Sequence, residues 1–241
     1  MKIFSVNASP TTTRGMTHIL MDLFLEGARE AGAEVESVDL QKKKIGYCVG
    51  CLNCWVKTPG VCVQDDDMTE LRQKFIQSDY FVLGTPVYVD GMTAQAKTFL
   101  DRLIPLVDPY FEAVDGHCRH KKSKSKVPEL VLLSVCGFCE LDNFGGLVDH
   151  LQRISRNMQT RLIGSILRPA SRILVMDKIL PDQVKQIKQA TRRAGKELVE
   201  QGSFSDQTLA EISQECIPTE IFIDGANLFW DRCIEAGKFP V

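Results

Sequence analysis

Four of the nine cysteines in this 241-residue sequence crowd into one short segment, at Cys48, Cys51, Cys54 and Cys62. Three thiolates at successive two-residue spacings can wrap one face of an iron–sulfur cubane, and a fourth can return from further along the chain. Structural zinc sites more often use two separated Cys-x-x-Cys pairs, so the spacing favours iron. Thiols without a metal, structural or redox-active, are the main alternative, and zinc is a third.

A second candidate for chemistry is the hydroxyl-rich segment 7–17, which reads NASPTTTRGMT. A bound phosphate needs backbone N–H donors, hydroxyl donors and the positive end of a helix dipole, and a turn of this composition before a helix supplies all three. The segment is neither a P-loop nor a G-x-G-x-x-G fingerprint. The alternative is a Ser/Thr-rich turn that only caps the following helix.

Both segments lie within a regular alternation of short apolar runs and amphipathic helical patterns. Such alternation predicts an α/β fold with a parallel sheet covered by helices on both faces. The carboxylates at 65–67 are expected to cap the second helix, because they accept hydrogen bonds from its first N–H groups. The predicted strands are 2–6, 34–40, 80–84, 130–135 and 162–167, and the predicted helices are 15–31, 65–77, 92–103 and 142–158.

The loops after three of these strands share features of a ligand site. In a flavodoxin-like strand order, strands one and three flank the crevice at which open α/β sheets bind ligands. The third predicted strand ends near Tyr88 and Gly91, which offer an aromatic face and a close backbone approach to a flat ring. The fourth ends at Cys136-Gly137-Phe138-Cys139. This Cys-x-x-Cys could form a redox pair, although packing of a small residue is the favoured interpretation of Cys136.

Motifs across these loops resemble one family. Five short motifs resemble those of the flavodoxin-like NAD(P)H-dependent FMN reductases. They are Asn-x-Ser-Pro at 7–10, Gly-x-Thr at 15–17, Thr-Pro-Val-Tyr at 85–88, and GMTAQAK and FLDR within 91–102. The cysteine segment followed by Asp-Asp-Asp-Met is similar to the iron–sulfur flavoprotein branch of that superfamily. The resemblance covers about residues 1–170 and implies that Cys48, Cys51, Cys54 and Cys62 carry a [4Fe-4S] cluster.

The same resemblance implies FMN as the cofactor, with its phosphate on the first loop and its isoalloxazine ring between the other two. This sequence has Thr11 where the family commonly carries an arginine and Met16 where it commonly carries an asparagine, and Arg14 could supply the missing positive charge. The expected phosphate contacts are Ser9, Thr11, Arg14, Gly15, Met16 and Thr17. The expected ring contacts are Pro86, Val87, Tyr88 and Gly91, with Cys136, Gly137 and Phe138 at the far edge of the ring.

The resemblance implies an FMN-dependent oxidoreductase that passes electrons from NAD(P)H to a small acceptor such as a quinone, a nitroaromatic or free flavin. Since the cofactor carries the hard chemistry, no catalytic acid or base is expected. One alternative is an electron-transfer iron–sulfur flavoprotein reduced by ferredoxin, and another is a flavin-free regulatory or metal-binding module. Relatives of this kind are commonly oligomeric, so we expect a homodimer or a homotetramer.

Composition narrows the classes of partner and compartment. The net charge is −2, which leaves no basic excess for nucleic-acid binding. No apolar stretch approaches the roughly 18 residues of a membrane span. The apolar run within residues 1–6 is too short for a signal peptide, so a cytoplasmic protein is expected.

The predicted FMN-binding domain spans residues 1–170 and contains an insertion at about 105–128, which is expected to be a polar surface loop. Residues 171–241 predict a C-terminal helical extension that packs on the domain or on a partner subunit. Its long helix is expected to begin at Pro181 and to stop at Gly202, because proline suits a first helical turn and glycine suits a helix end.

Overall fold

A five-stranded parallel sheet forms the centre of the computed structural model, which describes residues 1–121 and 125–239. The strands of the described chain, numbered in chain order, are β1 (Lys2–Asn7), β2 (Glu34–Asp39), β3 (Tyr80–Pro86), β4 (Phe111–Val114), β5 (His117–His120), β6 (Glu129–Val135) and β7 (Leu162–Arg168). The order in the sheet is β2-β1-β3-β6-β7, the flavodoxin-like order, and every neighbouring pair is parallel. The predicted α/β fold class is confirmed.

Helices cover both faces of the sheet, so β3 and β6 are buried along almost their whole length. The helices are α1 (Met16–Glu30), α2 (Asn53–Val56), α3 (Met68–Gln77), α4 (Ala94–Asp101), α5 (Gly145–Asn157), α6 (Pro181–Gln201), α7 (Asp206–Ser213) and α8 (Thr219–Ala236). The core on one face contains side chains of α1 and α6, and the core on the other contains those of α3, α4 and α5. Among residues 1–121 and 125–239, none of the helices combines the length and the apolar character that crossing a bilayer requires.

The predicted elements of residues 1–104 and 129–170 match the observed ones to within three residues at each end. The insertion differs, because the predicted polar loop contains an antiparallel hairpin of β4 and β5. Asp115 and Gly116 form its turn with φ angles of 50° and 76°. Asp-Gly is a strong signal for a two-residue hairpin turn, and the polar composition of the segment concealed it. Residues 122–124 of the insertion lie outside the described residues.

Helix α6 lies directly against α1 and belongs to the same packed layer. Two glycines allow this contact: a Cβ at Gly27 would lie 1.9 Å from the Arg192 carbonyl oxygen, and a Cβ at Gly195 would lie 1.9 Å from the Phe24 carbonyl oxygen. Helix α8, by contrast, has no buried residue. The domain boundary at residue 170 stays a prediction.

Candidate functional site

The loops that follow β1, β3 and β6 surround one open pocket of about 180 Å³. These strands are neighbours in the sheet, so their loops emerge at the same edge, where the strand order reverses. The pocket is lined by Ser9, Thr11, Met16, Thr17, Pro86, Val87, Tyr88, Val135, Cys136, Gly137 and Ser171.

The side chain of Asn7 fixes the start of the first loop. Its Nδ2 donates to Asp39 Oδ1 on β2 at 3.0 Å, and its Oδ1 accepts the Ser9 N–H at 3.0 Å. Beyond this turn, the hydroxyl oxygens of Ser9 and Thr11 lie 2.9 Å apart. Two hydroxyl groups are thereby presented side by side at the wall of the pocket.

Gly15 makes room for these hydroxyls at the start of α1. A Cβ at this position would lie 2.3 Å from Thr11 Oγ1 and 2.9 Å from Ser9 Oγ. The helix has no side-chain cap and no acidic residue in its first turn. Its first N–H groups have no partner within the helix and carry the positive end of the dipole, so this corner of the pocket suits a phosphate.

Buried hydroxyl groups hold the three loops in fixed positions. Thr93 Oγ1 donates to the Ala8 carbonyl at 2.8 Å, and the Thr93 N–H donates to Thr85 Oγ1 at 3.2 Å. Ser134 Oγ donates to the Thr85 carbonyl at 2.7 Å. Sequence reasoning missed these positions, although a hydroxyl residue at the end of an otherwise apolar strand was a visible signal at both Thr85 and Ser134.

The loop after β3 ends in a tight turn. Tyr88 and Gly91 exchange backbone hydrogen bonds of 2.9 and 3.1 Å, while Val89 and Asp90 adopt left-handed φ angles of 48° and 59°. This turn places the half-exposed ring of Tyr88 at the rim of the pocket. Gly91 closes the turn and does not line the pocket.

The loop after β6 is organised around the buried Cys136. Its Sγ accepts the Phe138 N–H at 3.4 Å, and its carbonyl accepts the Ser171 N–H at 2.9 Å. Burial raises the pKa of the Cys136 thiol, and burial together with Glu140 raises that of Cys139. Since the thiolate is the reactive form, raised pKa values argue against a reactive pair and support packing as the role of Cys136.

The four clustered cysteines lie in a loop that runs over residues 46–66 and includes α2. Cys54 is buried, Cys62 is partly buried, and Cys48 and Cys51 are exposed. Burial raises the pKa of Cys54, and the nearby Cys62, Cys51 and Cys48 raise it further. Within the described part of the chain, no three Cys, His, Asp or Glu side chains are grouped as metal ligands, so the metal site stays a prediction.

Arg102, at the end of α4, closes the base of this loop. Its Nη1 and Nη2 donate to the two carboxylate oxygens of Asp66 at 2.7 and 3.0 Å, and Nη1 also donates to the Gly46 carbonyl at 2.7 Å. Burial alone would raise the pKa of Asp66, but hydrogen bonds from Arg102, Gly46 and Met68 hold it below its usual range. Asp66 Oδ1 also accepts the N–H of Met68, the first residue of α3, at 3.1 Å, whereas the N-cap residue Asp67 makes no capping hydrogen bond through its side chain.

A second buried arginine, Arg72 on α3, lies near the same loop. It is 3% exposed, and its Nη1 is buried without a hydrogen-bond acceptor, as is Nε of Arg102. Burial lowers the pKa of Arg72, while Cys62 and Cys54 act in the opposite direction. Two of the four thiols, Cys54 and Cys62, lie near these buried cationic N–H donors. Such donors suit a thiolate-ligated cluster, because thiolate ligands bring an excess of negative charge.

Comparison with known proteins identifies the family. The sequence profile of the NADPH-dependent FMN reductases matches residues 1–121, which is half of the chain. This chain belongs to the NADPH-dependent FMN reductase family.

Curated relatives of this FMN reductase family member bear the name iron-sulfur flavoprotein. One from Archaeoglobus fulgidus is 43% identical over 105 residues, which cover 44% of this chain and 46% of the relative. Another from Methanocaldococcus jannaschii is 38% identical over 102 residues, which cover 42% of this chain and 50% of the relative. The chain therefore spans about half the length of the curated relatives it matches.

Solved structures that have low sequence identity to this chain share its fold. An azoreductase from Bacillus anthracis is 16% identical, with a TM-score of 0.58 over 83% of this chain and 98% of that one. An NAD(P)H:quinone oxidoreductase from Methanothermobacter marburgensis is 18% identical, with a TM-score of 0.58 over 82% of this chain and 96% of that one. These likenesses confirm the flavodoxin-like fold.

Most of the residues predicted to contact FMN converge on the pocket of this FMN reductase family member. The structure leaves Arg14, Gly15, Gly91 and Phe138 outside the lining set, and Arg14 is exposed. It adds Val135 and Ser171, which sequence reasoning missed. Ser171 follows the left-handed Ala170, with φ 44°, beyond the region that the motifs covered. The role of each residue toward FMN stays a prediction.

Proposed function

We propose that this protein is an FMN-dependent oxidoreductase that carries electrons from NAD(P)H to a small acceptor such as a quinone, a nitroaromatic or free flavin. The observation that supports this most strongly is the pocket at the strand-order reversal, where a hydroxyl-lined helix N-terminus faces an aromatic rim. That arrangement suits a phosphate at one end and a flat ring at the other. Membership of the FMN reductase family supplies the cofactor.

The phosphate end of the pocket binds through hydroxyl groups and backbone amides. Ser9 and Thr11 present adjacent hydroxyls, and Thr17 contributes a third from the first turn of α1. The helix dipole adds a favourable field for the phosphate charge. Arg14 is exposed on the short turn before α1, so its contribution is long-range attraction more than contact.

The ring end of the pocket binds mainly through shape. Tyr88, Pro86 and Val87 form one wall, and Gly137 keeps the opposite edge open, since a Cβ there would meet no atom within 4 Å. FMN, when bound, accepts a hydride from reduced nicotinamide and passes the electrons on. The Phe138 N–H already donates to Cys136 Sγ, a weak acceptor, which leaves that amide able to turn towards a stronger one.

A binding and reduction experiment tests this proposal. Protein stripped of flavin is titrated with FMN, and the complex is then mixed anaerobically with NADH or NADPH while the flavin absorption is followed. We expect one FMN per chain and bleaching by at least one of the two nucleotides. Protein that binds no FMN would overturn the proposal in favour of the flavin-free module.

A specific observation favours a second candidate function, an iron–sulfur electron carrier. The four-cysteine loop lies beside two buried arginines with unpartnered N–H groups, and curated relatives are named iron-sulfur flavoproteins. We propose that Cys48, Cys51, Cys54 and Cys62 hold a [4Fe-4S] cluster that exchanges single electrons with FMN and with a ferredoxin-type donor. Iron analysis of anaerobically purified protein, with about four irons expected per chain, tests it. Faster flavin reduction by ferredoxin than by NAD(P)H would make this the main function.

Exposed apolar side chains around the pocket support an oligomer. Tyr88 is half-exposed, and Val89 and Phe138 are largely exposed. We propose that a second copy of the chain covers this rim in a homodimer or a homotetramer. Light scattering after size exclusion measures the mass, and a monomer at all concentrations would contradict the proposal. The nine free thiols suit a reducing compartment such as the cytoplasm.

A further inference from the structure

Near the loop of residues 46–66, called here the cysteine loop, lies a buried positive charge without an ion-pair partner. Arg72 is 3% exposed, and within residues 1–121 and 125–239 no carboxylate lies within ion-pair distance of its guanidinium. Its Nη1 is buried and has no hydrogen-bond acceptor. Leaving a buried cation unpaired is strongly unfavourable, because its lost hydration is not replaced. Such an arrangement calls for an anion that the protein chain alone does not supply.

The groups around Arg72 show where that anion belongs. Burial lowers the pKa of Arg72, and the nearby Cys62 and Cys54 raise it, with a smaller contribution from Asp66. Arg102 lies close enough to act as a second positive charge. The Asp66 carboxylate is taken up by the bidentate pair with Arg102, so it does not neutralise Arg72. One positive charge is therefore left over, and Cys54 and Cys62 are among the groups near enough to interact with it.

We propose that Arg72 is the buried counter-charge and N–H donor for an anionic, cysteine-ligated [4Fe-4S] cluster, and that it sets the reduction potential of that cluster. This inference rests on the second candidate function above. Four thiolates and a core of charge +2 sum to −2, and one-electron reduction makes the sum −3. A fixed positive charge stabilises the reduced form more than the oxidised form, so it raises the reduction potential. Arg102 positions the loop through Gly46 and Asp66 and also lies beside Cys62, whereas Arg72 has no such partner and is the charge left for the cluster.

The test compares two substitutions of Arg72 with one matched control. Arg72→Met keeps the length of the side chain and removes its charge, and Arg72→Lys keeps the charge. Arg153→Met makes the same change at an exposed arginine on α5. Each full-length protein is reconstituted anaerobically with iron and sulfide, and three quantities are measured: bound iron under chelator competition, the midpoint potential of the cluster, and thermal unfolding without metal.

For Arg72→Met we expect at least tenfold weaker iron retention. We also expect at least a tenfold fall in the equilibrium constant for cluster reduction, which corresponds to a potential about 59 mV lower. Arg72→Lys should recover most of the potential, and Arg153→Met should match the wild type. The FMN potential should not change in any variant. Without metal, Arg72→Met should unfold at the same temperature as the wild type or above it, because an unpaired buried charge has been replaced by an apolar side chain.

Each contrary result has a distinct meaning. Wild-type iron retention and potential in Arg72→Met would overturn the inference while leaving the cluster in place. A metal-free Arg72→Met that unfolds well below the wild type would make Arg72 a structural residue and overturn it as well. Wild-type protein that retains no iron would overturn both the inference and the iron–sulfur function. FMN reduction by NAD(P)H would stand in every case, because the pocket is formed by other loops.

Discussion

The proposed binding of a phosphate at the N-terminus of α1 can be tested on single hydroxyl groups. Ser9→Ala and Thr17→Ala each remove one hydrogen-bond donor to a charged ligand, and each should weaken FMN binding by about 1.5–3 kcal/mol. Fluorescence titration of FMN measures this loss. Thr98→Ala is the matched control, since that hydroxyl bonds only the Ala94 carbonyl within α4. Unchanged dissociation constants in both pocket variants would place the phosphate elsewhere.

Substitution of Gly15 should weaken FMN binding much more than it lowers the stability of the fold. The Cβ of Gly15→Ala would lie 2.3 Å from Thr11 Oγ1, and the φ of −88° is one that alanine adopts freely. The atoms in the way are the ends of two side chains, so they can rotate, and we expect less than about 1 kcal/mol loss of stability. Those rotations turn both hydroxyls away from the pocket, and FMN affinity should fall at least tenfold. Equal losses in the free energy of unfolding, measured in urea, and in the free energy of FMN binding would contradict this account.

At the level of elements, the close crossing of α1 and α6 makes a prediction about stability. Gly195→Ala would place a methyl group 1.9 Å from the Phe24 carbonyl oxygen, which is backbone and cannot rotate away. The two helices must separate, and we expect a loss of about 1–3 kcal/mol in urea unfolding. Gly225→Ala in α8 is the control, since a Cβ there meets nothing within 4 Å. It should stabilise the protein slightly, as alanine favours a helix by up to about 1 kcal/mol.

The Arg102–Asp66 clamp should make the cysteine loop sensitive to acid. Because the pKa of Asp66 is held below its usual range in the folded protein, its contribution to stability is present above the unfolded value of 3.8 and is lost as the pH falls through the folded value. The exchange protection factor of Gly46, whose N–H donates to Asp66 at 2.9 Å, should therefore fall below about pH 4. Asp66→Asn should show low protection at every pH. A protection factor that does not change with acid in the wild type would rule out this clamp.

How far the sequence predicted these elements depended on whether their signals were local. Alternating apolar runs and helical periodicity located every strand of the main sheet, and the hydroxyl-rich first loop with the glycine-containing loops after the third and fourth predicted strands located the pocket. The contacts of Gly27 with Arg192 and of Gly195 with Phe24 join positions far apart in the chain, so no local pattern revealed them. The burial of Arg72 was also hidden, because an arginine on an amphipathic helix has the composition of a surface residue. The cluster, the FMN contacts and the assembly stay predictions.

At the level of the whole molecule, α4 connects the two candidate sites. Thr93, at its start, bonds the loops after β1 and β3 at the pocket, and Arg102, at its end, holds the base of the cysteine loop. Eight helical residues lie between them, a length of about 12 Å. A rigid helix of this kind fixes the separation of the pocket and the loop. That fixed separation suits electron exchange between two centres, and it would persist when either centre is empty.

Helix α8 should be less stable than the rest of the molecule unless another surface covers it. This helix buries none of its residues, yet Ile221, Leu228, Trp230 and Ile234 on it are largely exposed and apolar. Large apolar side chains exposed in this number on one helix suit coverage by another protein surface, whereas α6 is anchored in the core. In hydrogen exchange, α6 should be protected at every protein concentration, and protection of α8 should rise with concentration as a second copy covers it. Rapid exchange of α8 at all concentrations, in protein shown to be oligomeric, would mean that the subunits associate through another surface.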